Sequence, residues 1–323
     1  MITDPLLIHD WHPVAYAKRV RADEPHGVRL LDQDIVLWRD AHGAFHAWQD
    51  LCVHRGARLS LGRIENSCLT CPYHGWQYNA SGRCVHIPAH PEQPPPERAH
   101  ANVYRAAEKY GIVWASLGEP QQEIPDFEEW GAPGFRTVHA GPYLFRAHAP
   151  RVIENFLDVG HFPFVHAGLL GDPAHTQIED YEVETTTEGI VAKDIRVWQP
   201  DPDGTGQSAE VRYTYKIFRP FTAYFLKSHG HDQFSILCSV TPVAERESLA
   251  WFVMALNYSP MIPDIQVRGY QDVVAKQDVP IVESQRPELL PLDLQAELHL
   301  RSDRTAIAYR QWLKKIGLKY GTA

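Results

Sequence analysis

Between residues 180 and 258 lie five β-like runs, 180–184, 190–197, 209–218, 234–243 and 249–258, and in several of them apolar and polar positions alternate with a period of two. In the third run Val211, Tyr213, Tyr215 and Ile217 are separated by Arg212, Thr214 and Lys216, the pattern of a strand with one buried face. Five such runs with no helical stretch between them predict an antiparallel sheet. The interval 218–231 reads as a loop. It holds Phe221, Tyr224, Phe225, His229 and His231, aromatic density that suits core packing and a flat ligand alike. Asn257, at the end of the last run, is a candidate contact for a polar substrate atom.

Helical periodicity flanks the sheet. Residues 264–283 carry a stripe of Val267, Tyr270, Val274, Asp278 and Ile281, which puts a carboxylate on the core face near the break expected at Pro280. Asp272 shares its face with Arg268 and Lys276 and reads as a solvated charge. The segment 302–316 has a capping serine, Ser302, and an apolar pattern through Ile307, Trp312, Leu313 and Ile316 that predicts a packing helix. Upstream the elements are shorter: strand-like pieces at 28–31, 35–39 and 44–48, a stiff proline-rich loop at 87–96, and a hairpin-like pair at 101–106 and 112–117. The turn-rich stretch 118–134 separates two parts of different texture. The expectation is an α+β chain, with a small all-β domain at 1–125 and, at 126–323, an antiparallel sheet flanked by helices.

Candidate chemistry sits at two places. The first is Asp50-Leu51-Cys52-Val53-His54-Arg55-Gly56 followed by Cys71-Pro72-Tyr73-His74-Gly75-Trp76, a C-x-H and a C-x-x-H separated by sixteen residues. A Rieske [2Fe–2S] centre requires such a set, two thiolates on one iron and two imidazoles on the other. A Cys2His2 zinc site is the rival, but ligands one residue apart converge poorly on one tetrahedral ion. Gly56, Pro72 and Gly75 suit two tight ligand-presenting loops. Cys68 and Cys84 flank the motif and read as small buried residues.

The second place is the apolar, aromatic run 153–166, which contains Asp158, His161 and His166. On a helix Asp158 and His161 share a face, and Pro163 would re-aim His166. Two imidazoles and a carboxylate from elsewhere, with Asp278 the candidate, would make the facial triad of non-haem iron oxygenases. Two core histidines satisfied by hydrogen bonds are the plainer reading of the run taken alone.

Length and charge narrow the class. At 323 residues the chain has room for two domains, and a net charge of −9 argues against nucleic acid and anionic membrane surfaces. No run approaches a transmembrane length, and Met1 to Pro13 lacks the apolar core of a signal peptide, so a cytoplasmic location is expected. Five cysteines, an odd number, fit reduced thiols and metal ligation better than a disulfide framework.

In Cys52-Val53-His54, Cys71-Pro72-Tyr73-His74-Gly75-Trp76-Gln77-Tyr78, the stretch from Glu154-Asn155 to His166, and Gln277-Asp278 through Gln285, the chain resembles the Rieske non-haem iron oxygenases, α subunits. It is most similar to the short group containing methylxanthine N-demethylases and dicamba and vanillate O-demethylases. The resemblance covers nearly the whole chain and implies a helix-grip, START-like catalytic domain. It implies a cluster on Cys52, His54, Cys71 and His74, and a mononuclear Fe(II) on His161, His166 and Asp278, with Asn155 nearby. Asp158 would bridge His161 to the cluster ligand His74 of a neighbouring subunit, hence a head-to-tail homotrimer.

The implied activity is an O2-dependent monooxygenase acting on a small aromatic or heterocyclic substrate by N- or O-demethylation or hydroxylation. With no G-x-G-x-x-G after a strand and no plant-type ferredoxin cysteine spacing, reducing equivalents would come from a separate NAD(P)H-dependent reductase or ferredoxin. The alternatives are a ring-hydroxylating dioxygenase of aromatic hydrocarbon catabolism, which the short chain disfavours, and a Rieske electron carrier, which would leave the second domain without a role.

Overall fold

The structure, a computed structural model, describes residues 1–186 and 189–323. The chain forms two compact units, Met1–Ile124 with Val243–Glu245, and Pro125–Pro242 with Arg246–Ala323.

In the first unit a short helix α1 (Pro5–Ile8) leads into β1 (His12–Tyr16), β2 (His26–Leu30), β3 (Gln33–Arg39) and β4 (Phe45–Gln49). Four small strands follow, β5 (Arg63–Glu65), β6 (Cys68–Thr70), β7 (Gln77–Tyr78) and β8 (Cys84–His86), and then β9 (Val103–Lys109) and β10 (Ile112–Ser116). They build a six-stranded sheet in the order β1-β10-β9-β4-β3-β2 and a four-stranded sheet in the order β5-β6-β7-β8. The second sheet escapes sequence reading because strands of two or three residues show no periodicity. A core of Val36, Trp38, Trp48, Leu59, Leu69 and Tyr78 backs it, with the buried Cys52, Cys71 and Cys84 among them. Trp38 and Trp48 meet edge to face at 5.1 Å.

The second unit contains β11 (Arg136–Phe145), α2 (Ala149–Leu157), α3 (Phe162–Val165), β12 (Glu182–Thr185), β13 (Ile190–Gln199), β14 (Ala209–Arg219), β15 (Thr222–His229), β16 (Asp232–Ala244), β17 (Glu247–Leu256), α4 (Asp264–Ser284) and α5 (Arg304–Ile316). Strands β12 to β17 form an antiparallel meander, and β11 adds beyond β17 to make a seven-stranded sheet.

Two of these strands differ from expectation. β15 occupies the interval read as a loop; its residues 222–225 are buried on both faces, so Ala223, Tyr224 and Phe225 follow one another without alternation. β11 is interrupted by Gly141-Pro142, where its register against β17 shifts, and such a bulge carries the signature of a breaker.

The helices are also corrected in detail. α2 ends at Leu157 with Asp158 already extended, and α3 starts after His161, so Asp158 and His161 lie in a turn between helices rather than on one helical face. Pro163 belongs to the first turn of α3, where its missing N–H costs nothing. α4 continues through Pro280 to Ser284. Its inward stripe is Gln271, Val274, Ala275 and Val282, whereas Tyr270 and Ile281 are exposed. Asp278 still faces in, its side chain 14 % exposed. α5 begins one residue later than expected, with Asp303 in place of Ser302 at its cap. Among the described residues no helix is long and apolar enough to cross a membrane.

Candidate metal centres and substrate cavity

Two nearly identical loops carry the Cys–His pairs of the first unit. The Cys52 amide donates to the Ala57 carbonyl at 2.8 Å and the Gly56 amide to the Cys52 carbonyl at 2.9 Å. In the second loop Cys71 donates to Trp76 at 2.8 Å and Gly75 to Cys71 at 3.1 Å. Each loop closes through a glycine in the left-handed region, Gly56 at φ 71° and Gly75 at φ 72°. The result places Cys52 and Cys71 inside and the imidazoles outside, His54 half-buried and His74 exposed.

The His54 and His74 rings lie 4.6 Å apart, and Trp76 stacks on His54 at 4.5 Å. Burial pushes the Cys71 thiol above its ordinary value, with Cys52 beside it adding to the rise and the Tyr73 and His74 amides opposing it. The Tyr78 hydroxyl lies 3.2 Å from Cys52 Sγ. His54 Nδ1 is buried without a hydrogen-bond partner. Cys84 leans on the His86 carbonyl at 3.6 Å and Cys68 is half-buried, so neither joins the set.

The second centre is built by the turn between α2 and α3 and by the inner face of α4. His161 Nδ1 donates to Asp158 Oδ2 at 3.0 Å, and His166 Nδ1 donates to Gln277 Oε1 at 2.8 Å. With both Nδ1 positions engaged in this way, an ion bound between the rings would displace any Nε2 proton and meet a lone pair on each. Those two atoms face each other at 3.1 Å, and Asp278 Oδ1 stands 3.0 Å from one and 3.5 Å from the other. Burial by itself would lower the His161 imidazole; its bonds to Asp158 and Asp278 outweigh this and raise it to about 9. Burial would raise Asp278, and the two imidazoles hold it below the usual carboxylate value instead. Asn155 Nδ2 donates to Asp278 Oδ1 at 3.4 Å.

Sequence reasoning had not singled out Gln277 for a role of its own. The available signal was its place beside Asp278 on an inward-facing turn of α4.

The three converging groups border a cavity of about 340 Å³. Phe156, Phe162, Tyr213, Tyr215, Phe225, Phe234 and Phe252 make it strongly aromatic, and its polar lining includes Asn155, Lys227 and Gln271 together with the carboxylates of Asp201 and Asp203. Of the aromatic candidates from 218–231 only Phe225 lines it. Tyr224 bonds Glu129, and Phe221 packs edge-on to Tyr320. Asn257 is taken up by the Gln233 amide and the His231 carbonyl and lies off the cavity.

Family models match both parts of the chain, the Rieske [2Fe-2S] domain over residues 10–105 and the vanillate O-demethylase oxygenase C-terminal domain over residues 145–318. The chain belongs to the Rieske non-haem iron oxygenases. This oxygenase is 30% identical to methylxanthine N1-demethylase NdmA of Pseudomonas putida, over 96% of its own length and 89% of the relative's. Against the structure of Pseudomonas putida NdmA with caffeine the TM-score is 0.83, at 30% identity, covering 96% of this chain and 91% of the other. Dicamba monooxygenase bound to dicamba shares the fold, with a TM-score of 0.80 at 22% identity over 96% and 97% of the two chains.

The oxygenase therefore uses a [2Fe–2S] cluster and a mononuclear iron, and its residues suit both groups. Two buried, adjacent sulfurs and an orphaned His54 Nδ1 are what a cluster would satisfy. Two imidazole lone pairs and a carboxylate oxygen aimed at one point are what a divalent iron would satisfy.

Proposed function

We propose that this oxygenase is a monooxygenase that removes an N- or O-methyl group from a small aromatic or heteroaromatic substrate. Cys52, His54, Cys71 and His74, in the electron-accepting part at 1–125, hold the cluster. His161, His166 and Asp278, in the oxygenating part at 126–323, hold the iron. The observation that carries this reading is the aromatic cavity opening directly onto His161, His166 and Asp278.

Iron held there supplies O2 activation, and the remaining work falls to the chain. Asp158 and Gln277 fix the two imidazoles in the tautomer that points Nε2 inward. Asn155 bonds the Asp278 oxygen and keeps that carboxylate turned toward the imidazoles. The aromatic walls hold a flat ring beside the iron and exclude bulk water. In the net reaction one oxygen atom enters a methyl C–H bond. The other leaves as water, taking up two electrons and two protons, and the hydroxymethyl product collapses to formaldehyde and a free N–H or O–H. The electrons come from a separate NAD(P)H-dependent reductase or ferredoxin.

Asp158 is 40 % exposed while bonded to His161, and His74 is exposed at the outer end of the cluster loops. These two surfaces support a contact between Asp158 of one copy and His74 of a neighbouring copy, and with it a homotrimer.

The test is a single turnover. The iron-loaded protein is reduced chemically, O2 is admitted with a panel of methylated heterocycles and aryl ethers, and formaldehyde is quantified beside product mass. Formaldehyde equal to demethylated product is the expected result. Product that gains one oxygen without formaldehyde reassigns the enzyme to hydroxylation, and two added oxygens reassign it to dioxygenation.

A further inference from the structure

The cavity floor follows from strand register. In antiparallel pairing Tyr213 of β14 stands opposite Lys227 of β15, which stands opposite Phe234 of β16. Two residues along on the same face the row is Tyr215, Phe225 and Ile236. All six line the cavity. The inner face of the sheet is thus aromatic and aliphatic with one cation set into it.

That cation is unusual in its partners. Lys227 is buried, and its Nζ donates to two neutral acceptors, the Pro202 carbonyl at 2.7 Å and Gln199 Oε1 at 3.4 Å. It also lies 5.5 Å from the Phe234 ring centroid. No carboxylate among the described residues reaches it within ion-pair distance. Burial lowers the ammonium to about 8, outweighing Asp203, Asp201 and Asp232, of which the first two line the same cavity and act on it only through space. An ammonium has three donors, and one is left over. A buried charge without an ion-pair partner is costly, and a ligand anion at that third donor would relieve it. The second unsatisfied group on the floor is the Tyr215 hydroxyl, fully buried and without a partner.

We propose that Lys227 is a specificity-determining residue that pairs with an anionic oxygen on the substrate, making the preferred substrate class an aromatic ring that carries a carboxylate. The ring lies on Tyr215 and Phe225, its edge within reach of the Tyr215 hydroxyl, and the carboxylate is drawn to Lys227 at one side of the floor. This deepens the demethylase reading and rests on it for the chemistry, though not for the binding.

The test measures binding without turnover. The iron-loaded protein, without reductant, is titrated calorimetrically with 4-methoxybenzoate and its 3-methoxy and 3,4-dimethoxy analogues, each against the matching benzamide. The expected result is at least about tenfold tighter binding of the acid in one or more pairs. Lys227→Met removes that preference while leaving amide binding within about threefold, and Lys227→Arg, which keeps the charge, retains it. Equal affinity for acid and amide, tighter amide binding, or no acid binding across the series overturns the proposal. So does a Lys227→Met protein that loses both ligands alike with its visible cluster spectrum intact. The unmodified protein decides the matter even where Lys227→Met does not fold. Formaldehyde release is read separately, so an acid that binds without being demethylated overturns the reaction and leaves the binding class standing.

Discussion

Gln277 accepts a hydrogen bond from His166, its Oε1 lying 2.8 Å from Nδ1, and so the residue before Asp278 orients the histidine that Asp278 faces. One turn of α4 thereby supplies both a donor to the candidate iron site and the positioning of another. Gln277→Leu leaves the His166 N–H buried and unpaired, and iron affinity is expected to fall about 10- to 100-fold. Gln277→Glu keeps an acceptor and retains iron. Iron per chain measured beside the visible cluster spectrum checks this; equal iron in both variants would show that Gln277 does not position His166.

Tyr78 is a buried phenol whose ionisation is strongly suppressed, first by burial and then by the neighbouring Cys52, so it donates toward the sulfur 3.2 Å away. With Cys52 a cluster ligand, that bond favours the reduced, more negative cluster. Tyr78→Phe should lower the reduction potential by about 50–100 mV, as loss of a hydrogen bond to a charged acceptor for a one-electron couple. Redox titration followed by visible circular dichroism measures it, and an unchanged potential rules out the donor role.

Asp158 does two things at once, accepting from the Gly160 amide at 2.7 Å and from His161 Nδ1 at 3.0 Å. Asp158→Asn removes the charge, while its side-chain oxygen still accepts one bond. Cluster spectrum and iron content are expected to stay near normal while single-turnover product formation slows by about 100-fold or more, the size expected when charge and orientation at an imidazole are lost together. Rapid-quench measurement of product separates this from simple iron loss.

α2, which leads into this turn, is anchored by a buried ionic cluster. Arg310 grips Glu154 with two bonds of 2.6 and 2.8 Å, Arg151 reaches Glu297 at 2.8 Å, and Glu297 also receives Arg310. Glu154→Ala takes from Arg310 its two-bond partner and leaves Glu297 alone to pair two buried guanidiniums, and should cost about 3 kcal/mol, read from urea midpoints.

Glu297 gives the same cluster a pH dependence. Burial opposes its ionisation, but Arg151 and Arg310 hold its carboxyl below the usual value. A folded-state pKa below the unfolded one contributes stability at pH values above the unfolded pKa, and this is lost as pH falls through the folded one. Glu297→Gln should therefore flatten the acid limb of the stability profile, and urea midpoints taken across that limb test it.

What the sequence made legible was whatever short spacing controls. Cys52, His54, Cys71 and His74 lie in two tight loops whose geometry follows from a few residues, and His161 and His166 are separated by less than two turns of chain. Asp278 was found by helical phase, although the stripe was drawn through Tyr270 and Ile281 when the buried residues are Gln271, Val274 and Val282. An amphipathic pattern diluted by polar inward residues leaves the phase uncertain by a residue. The cavity was not legible, because its floor comes from the lateral pairing of β14, β15 and β16, and β15 had been read as a loop. Lys227 could have been singled out only by placing Ala223, Phe225 and Lys227 on one face of that strand, which requires knowing that it is a strand.

The two imidazoles of the proposed iron site and the carboxylate opposite them are separated along the chain by about 110 residues, a span that contains six strands of the large sheet. An ion held between them is a cross-link as well as a catalyst. It closes a long loop of polypeptide and removes from the unfolded chain the freedom that a disulfide of the same span would remove. Iron-loaded and iron-free protein would then differ in how readily the whole catalytic half comes apart, and loading would follow the completion of the sheet rather than guide its assembly.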